Sequence, residues 1–179
     1  MKLKQSLLLT TMTLLTFMSF HSQAGRQGVS YYYGLGLGII APTDLDIAGV
    51  GNLIVGIEED GWSFEAIAFT STKAGTDSPA VDYSANGTHF GLAYRTVERN
   101  NSWFKFKVSG TKMTFDTTDT TTDFDTSGNS YTIGWGMRMG TNSRLEIDYD
   151  FYDSNDLDAV HMITTRYFWG GSEYKGRKF

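Results

Sequence analysis

From residue 31 onward the chain repeatedly alternates apolar with small or polar positions at period 2, the spacing of a strand whose two faces meet different surroundings. Tyr31, Tyr33, Leu35, Leu37 and Ile39 alternate with Tyr32, Gly34, Gly36 and Gly38 over Tyr31 to Ile40. The second segment, Gly51 to Glu58, sets Leu53, Val55 and Ile57 against Asn52, Ile54, Gly56 and Glu58. The third, Trp62 to Ser71, is the least regular and opposes Trp62, Phe64, Ala66 and Ala68 to Ser63, Glu65, Ile67 and Phe69. In the fourth, Ala85 to Thr96, Thr88, Phe90, Leu92 and Tyr94 oppose Gly87, His89, Gly91, Ala93 and Arg95. Phe104, Phe106 and Val108 oppose Lys105, Lys107, Ser109 and Thr111 in the fifth, Trp103 to Met113. Tyr131 to Gly140 carries Tyr131, Ile133, Trp135, Met137 and Met139 against Thr132, Gly134, Gly136 and Arg138. Arg144 to Tyr152 carries Leu145, Ile147, Tyr149 and Phe151 against Arg144, Glu146, Asp148 and Asp150. The last, Ala159 to Trp169, sets Ile163, Thr165, Tyr167 and Trp169 against Met162, Thr164, Arg166 and Phe168.

Segments of about ten residues are long enough for tilted strands to cross a bilayer. Their connections alternate in length. Glu59 to Gly61, Val97 to Ser102 and Thr141 to Ser143 are short; Ala41 to Val50, Thr72 to Ser84 and Thr114 to Ser130 are long. The last outer connection, Asp153 to Asp158, is the exception. Even strand number, short turns on one side and long loops on the other predict an all-β fold: an eight-stranded antiparallel up-and-down transmembrane barrel, with both termini on the short-turn side.

Volume decides which face is outside. Eight strands enclose an interior just wide enough for side chains to fill. The apolar set, rich in Phe, Tyr and Trp, would overfill it, as it would in a soluble barrel that binds an apolar ligand. The opposite set is Gly-rich and charged, with Arg95, Lys105, Lys107, Arg138, Arg144 and Arg166 facing Glu58, Glu65, Glu146, Asp148 and Asp150. Buried charges must pair, so this set is expected to form a luminal network in which Glu65 meets one or more of Arg95, Lys105, Lys107 and Arg138. Aromatic residues near strand ends (Tyr31, Tyr33, Trp62, Tyr94, Trp103, Tyr131, Tyr149 and Trp169) are expected to form interfacial girdles.

The N-terminus changes the count of domains. Lys2 and Lys4 precede an apolar stretch from Leu7 to Phe20, and Ser22-Gln23-Ala24 has the small-x-small form of a cleavage site. The stretch is shorter than the roughly 20 residues of a membrane-spanning helix. Residues 1–24 are therefore expected to be a cleaved signal peptide, residues 25–169 the barrel and residues 170–179 a short tail. Loss of residues 1–24 removes two of the 15 basic and none of the 20 acidic residues, leaving a formal charge of −7. That balance disfavours nucleic acid as a partner. No Cys is present among 179 residues, which excludes disulfides and thiolate metal sites, and 20 Gly stand against 2 Pro.

With the strands placed, the chain from Gly28 to Trp169 resembles the OmpA/OmpX-type small outer-membrane barrels, the outer membrane protein β-barrel domain group. Tyr32-Tyr33-Gly34-Leu35-Gly36-Leu37-Gly38 looks like that group's opening strand. Ile163-Thr164-Thr165-Arg166-Tyr167-Phe168-Trp169 looks like its aromatic-ended closing strand. The resemblance implies that Ile163, Thr165, Tyr167 and Trp169 form the signal read by the barrel-insertion machinery. It departs from the group in the tail: Gly170 to Lys178 follow the closing strand before the terminal Phe179.

Candidate chemistry is sparse. Parity points His89 into the lumen and His161 outward near the external rim, where Asp153 is within reach across the last hairpin; no Ser completes a hydrolase-like triad. The His-x-Ser pattern of the barrel lipid A deacylases is absent around both. The outer connections are acidic, with Asp44, Asp46, Asp77, Asp82, Asp116, Asp119, Asp123, Asp125, Asp153, Asp156 and Asp158 against Lys73 and Lys112. Asp153-x-Asn155 and Asp156-x-Asp158 echo oxygen-ligand calcium loops but lack the fixed Gly and Glu of an EF-hand, and the Thr/Asp run from Thr114 to Asp125 reads as a solvated loop. No catalytic set, dedicated metal site or cofactor site emerges. The expected protein is a non-enzymatic, multi-pass bacterial outer-membrane protein, monomeric, in contact with outer-membrane lipids and lipopolysaccharide, with a structural or surface-interaction role. The alternatives are an outer-membrane lipid-modifying enzyme, a narrow ion pore and a soluble periplasmic ligand-binding barrel.

Overall fold

A computed structural model describes residues 29–43, 45–75, 82–117, 124–154 and 159–171. The expected leader (1–24) and the tail beyond Gly171 lie outside them. Eight long strands follow one another: β1 (Ser30–Pro42), β2 (Ala48–Glu59), β3 (Trp62–Ser71), β4 (Asp82–Arg95), β5 (Ser102–Thr117), β6 (Phe124–Arg138), β7 (Ser143–Ser154) and β8 (Ala159–Gly170). Each pairs antiparallel with its sequence neighbour. β1 also pairs with β8, from Tyr32 opposite Gly170 to Pro42 opposite Val160, which closes the sheet into a barrel. A two-residue ribbon, Ala74–Gly75, adds to the outer end of β4.

The alternation has the polarity that the volume argument requires. Leu37, Leu53, Phe90, Val108 and Ile133 are more than half exposed, whereas every luminal residue from Glu58 to Arg166 named below is almost fully buried. Closure satisfies the backbone of every strand internally, which a sheet in hydrocarbon needs.

Two of the short turns are built from local chemistry. Asp60 and Gly61 have φ of 49° and 85°, and Asn100 and Asn101 have φ of 51° and 62°. Two consecutive left-handed residues make the mirror-image turns whose twist suits a tight hairpin. Arg99 and Ser102 close the second one by exchanging both backbone hydrogen bonds at 2.9 Å.

The outer ends differ from the expectation. β1 and β2 run to Pro42 and from Ala48, so the first outer connection is only residues 43–47. Thr114 to Thr117 and Phe124 to Ser130 are strand, not loop. Pairing explains this: Thr114 stands opposite Asp125, donating to its carboxylate at 2.6 Å, and Lys112 lies 3.2 Å from the same carboxylate. Thr70, Asn86 and Asp116 form a second cross-strand chain, at 2.6 and 2.9 Å. β-branched threonines favour such pairs, but above an apolar band their polarity hides the period-2 pattern. The Thr114 hydroxyl and the Lys112 ammonium hold the Asp125 carboxyl below the usual carboxylate range.

Candidate functional site: the lumen

Ten charged side chains from β2 to β8 converge inside the barrel, five cationic (Arg95, Lys105, Lys107, Arg144, Arg166) and five acidic (Glu58, Glu65, Glu146, Asp148, Asp150), each with 2% exposure or less. They form one connected network. At the end nearest the short turns, Glu58 accepts from Arg95 at 2.6 Å and from Arg144 at 2.9 Å. Arg144 lies over Tyr32, its Cζ 4.2 Å from the ring centroid, and reaches Glu146 at 3.2 Å. Lys105 ties the next layer together, at 2.7 Å from Glu146, 2.9 Å from Asp148 and 3.2 Å from Glu65. Arg166 bridges Asp148 and Asp150, the latter at 2.7 Å. Lys107 lies between Glu65 and Asp150, at 3.6 and 3.7 Å. Tyr32 donates to Glu65 at 2.8 Å and Thr132 donates to Asp150.

Glu65 therefore meets Lys105 and Lys107. Arg95 is held by Glu58 instead, and Arg138 does not belong with the network. Its parity is luminal, but it ends β6 at the rim, where its guanidinium takes Glu98 of the β4–β5 turn in a fork at 3.0 and 2.9 Å. Parity gives a residue's side of the wall; it does not give its height. Trp103 needs a correction for the complementary reason. It sits at a strand end but on the luminal parity, 3% exposed, beneath Arg95 and over Gly136, where a Cβ would strike the indole. Among the other end aromatics, Tyr33 stacks on Trp169 and Trp62 tilts against Tyr94 at the short-turn end.

Sequence reasoning missed a third layer. Above the charges, Ile40, Val50, Phe69, Tyr83, Ala85, Met113, Phe115, Tyr152, Val160 and Met162 fill the outer part of the barrel with apolar side chains. Leu45 and Ala74 from the outer connections pack on this collar, and Tyr83 donates to the Asp46 carbonyl. Several of these residues occupy the luminal parity of the segments already recognised. Following that parity to the strand ends would have found them.

Both histidines among the described residues are accounted for. His89 sits at the edge of the collar, its Nε2 3.2 Å from the Tyr152 hydroxyl and its ring edge-on to Phe69. His161 faces outward, with the Tyr149 hydroxyl 2.7 Å from Nδ1 and Phe151 against the ring; it is Tyr149 that engages it, not Asp153. Asp153 lies opposite Ala159. Of the acidic outer positions, Asp46, Asp82, Asp116, Asp125 and Asp153 are described, and Asp44, Asp77, Asp119, Asp123, Asp156 and Asp158 fall outside the described residues. Among the described residues no three His, Asp or Glu side chains are grouped to hold a metal ion. The closing-strand residues Ile163, Thr165 and Trp169 are exposed on the outer face and Tyr167 is half-buried there.

Comparison with known proteins gives a consistent family and fold. Residues 10–169 match the family described as outer membrane protein beta-barrel domain. Neisserial surface protein A superposes with a TM-score of 0.59 at 10% identity, covering 80% of this chain and 97% of that one. Ail, the attachment invasion locus protein of Yersinia pestis, superposes with a TM-score of 0.52 at 13% identity, covering 82% and 100%. A second structure of Ail, in complex with the heparin analogue sucrose octasulfate, gives 0.51 at 11% identity, covering 82% and 100%. Among curated proteins, none matches the chain.

Proposed function

This chain belongs to the outer membrane protein β-barrel family, and from that premise we propose that it is a non-enzymatic, non-conducting barrel with a structural or surface-interaction role. It resides in the bacterial outer membrane. The observation that supports this reading is the filled lumen. Five positive and five negative side chains cancel inside it, and an apolar collar lies above them. An ion entering from outside would have to part that collar and then displace paired charges, each of which is costly to leave alone.

An enzyme acting on lipid needs a nucleophile with its base, open to an acyl chain or headgroup. Here His161 is engaged by Tyr149, and His89 is buried beneath the collar between Tyr152 and Phe69. We expect lipid A and phospholipid mass spectra of cells with and without the protein to be superimposable. A protein-dependent gain or loss of an acyl chain would establish the lipid-modifying alternative.

The partners follow from position and charge. The outward band contacts outer-membrane lipids, and the closing strand presents its aromatic end to the barrel-insertion machinery. The described outer ends carry Asp46, Asp82, Asp116, Asp125 and Asp153 against Lys73 and Lys112. That balance suits neutral or cationic surface ligands and weak divalent bridging to lipopolysaccharide. It disfavours a sulfated polyanion such as the heparin analogue bound by Ail. Closure leaves no strand edge for pairing with another copy, consistent with a monomer.

A further inference from the structure

One strand enters the lumen differently from the rest. β1 brings no charged side chain to it: its inward positions are Tyr32, then Gly34, Gly36 and Gly38, then Ile40 in the collar. The neighbouring strands close over the glycines. Phe168 lies over Gly34, and Arg166 and Asn52 lie over Gly36; at Gly38 a Cβ would fall 1.9 Å from the Ile163 carbonyl oxygen. Across this stretch β1 pairs through its backbone with β2 and β8 but packs no side chain of its own into the lumen. Glycines inside a strand weaken it for that reason.

Tyr32 is the exception, and it stands at the short-turn end of the β1–β8 seam, opposite Gly170. It is buried, and its one side chain meets four other strands. The hydroxyl donates to Glu65 of β3 at 2.8 Å. The ring lies under the Arg144 guanidinium of β7 and edge-on to Phe168 of β8, with ring centroids 5.6 Å apart. On β2 it covers Gly56, where a Cβ would fall 2.3 Å from the Tyr32 Cζ. Glu65 is fixed in turn between Lys105 and Lys107. These contacts are complete only when the charge network is in place and β1 is seated on β8. Parting the seam at this end withdraws the hydroxyl and takes from the buried Glu65 carboxylate a hydrogen bond, which is costly to leave unmade.

We propose that Tyr32 is the latch of the barrel seam: it ties the short-turn end of β1 to the luminal charge network and so couples closure of the barrel to assembly of that network. Without the latch, β1 parts from β8 at this end by local opening, while the pairing from β2 to β8 persists. The proposal rests on the network filling the lumen.

The test is amide hydrogen exchange, read by mass spectrometry, on the mature protein in lipid nanodiscs. Heat-modifiable gel mobility confirms that each variant is a folded barrel. Tyr32→Phe keeps the ring contacts and removes the hydroxyl. Peptides covering residues 33–38 and 164–169 should then exchange several-fold faster, with β4 and β5 unchanged. Tyr32→Ala should widen the difference; if it fails to fold, Tyr32→Phe decides alone. Tyr152→Phe is the control. Tyr152 is also buried, with its hydroxyl 3.2 Å from His89, but it belongs to β7 and not to a seam strand, so its loss should leave the seam at the unmodified rate. Seam exchange in Tyr32→Phe equal to that of the unmodified protein would overturn the proposal. So would faster exchange spread equally over β4 and β5, or a seam loosened as much by Tyr152→Phe. Conductance of the unmodified protein reports separately on the filled lumen, so failure of that reading is not mistaken for failure of the latch.

Discussion

Replacing Glu65 by alanine will destabilise the barrel by about 3–5 kcal/mol, the cost of breaking a buried ion pair from one side. Glu65 lies between Lys105 and Lys107 and accepts from Tyr32, at 2% exposure. Its removal leaves the lumen with five cations and four anions. Lys105 still has Glu146 and Asp148, at 2.7 and 2.9 Å, so Lys107 bears most of the loss, with only Asp150 at 3.7 Å. A second substitution, Lys107→Met, should therefore recover much of the stability. Asp125→Ala serves as the control. It breaks the pair with Lys112, whose side chain is 66% exposed, and surface pairs of that kind contribute little. Urea unfolding in lipid vesicles, followed by tryptophan fluorescence, measures all three. A Glu65→Ala midpoint no lower than that of Asp125→Ala would mean that the network is not what holds the lumen.

The second large effect is on the outer face. Trp135→Arg and Ile147→Arg should each cost about 2–4 kcal/mol, the penalty for an arginine near the bilayer midplane. The two residues stand opposite each other on β6 and β7, 37% and 45% exposed on the outward face, with Phe104 opposite Trp135 on β5 and Thr165 opposite Ile147 on β8. Ser127→Arg is the matched comparison. It lies on the same face of β6 but beside Lys112, in the polar extension above the band. Ser127→Arg should assemble normally while the other two accumulate unfolded, read by heat-modifiable mobility of membrane fractions. Equal tolerance of all three would reverse the faces.

How far the sequence reaches depends on where along a strand one looks. Across the band, one face meets hydrocarbon and the other a narrow polar lumen, so parity alone places Leu37, Phe90 or Ile133 outside and Glu65, Lys105 or Arg166 inside. Above the band the outward face meets water. There Thr114, Asp116 and Asp125 look like loop, although β5 and β6 continue through them. The inward face turns apolar at the same height, so Phe115 and Met113 carry the reverse pattern. Height itself is set by stagger and tilt between strands, which no local pattern contains. That is why Arg138, which parity groups with the partners of Glu65, instead caps the rim with Glu98, and why Trp103, at a strand end like the interfacial aromatics, lies under Arg95. The individual pairs were similarly beyond reach. Five anions and six candidate cations can be counted on the luminal parity, but that Arg95 goes to Glu58 and Lys107 to Asp150 depends on which walls meet across the interior.

Planar-bilayer recording of the refolded protein shows whether this lumen is packed shut. The apolar collar over a charge-balanced, ion-paired interior predicts a flat baseline across the usual voltage range, with no steps above background leak. A large, stable, stepwise conductance from the unmodified barrel would contradict it and make the protein a pore.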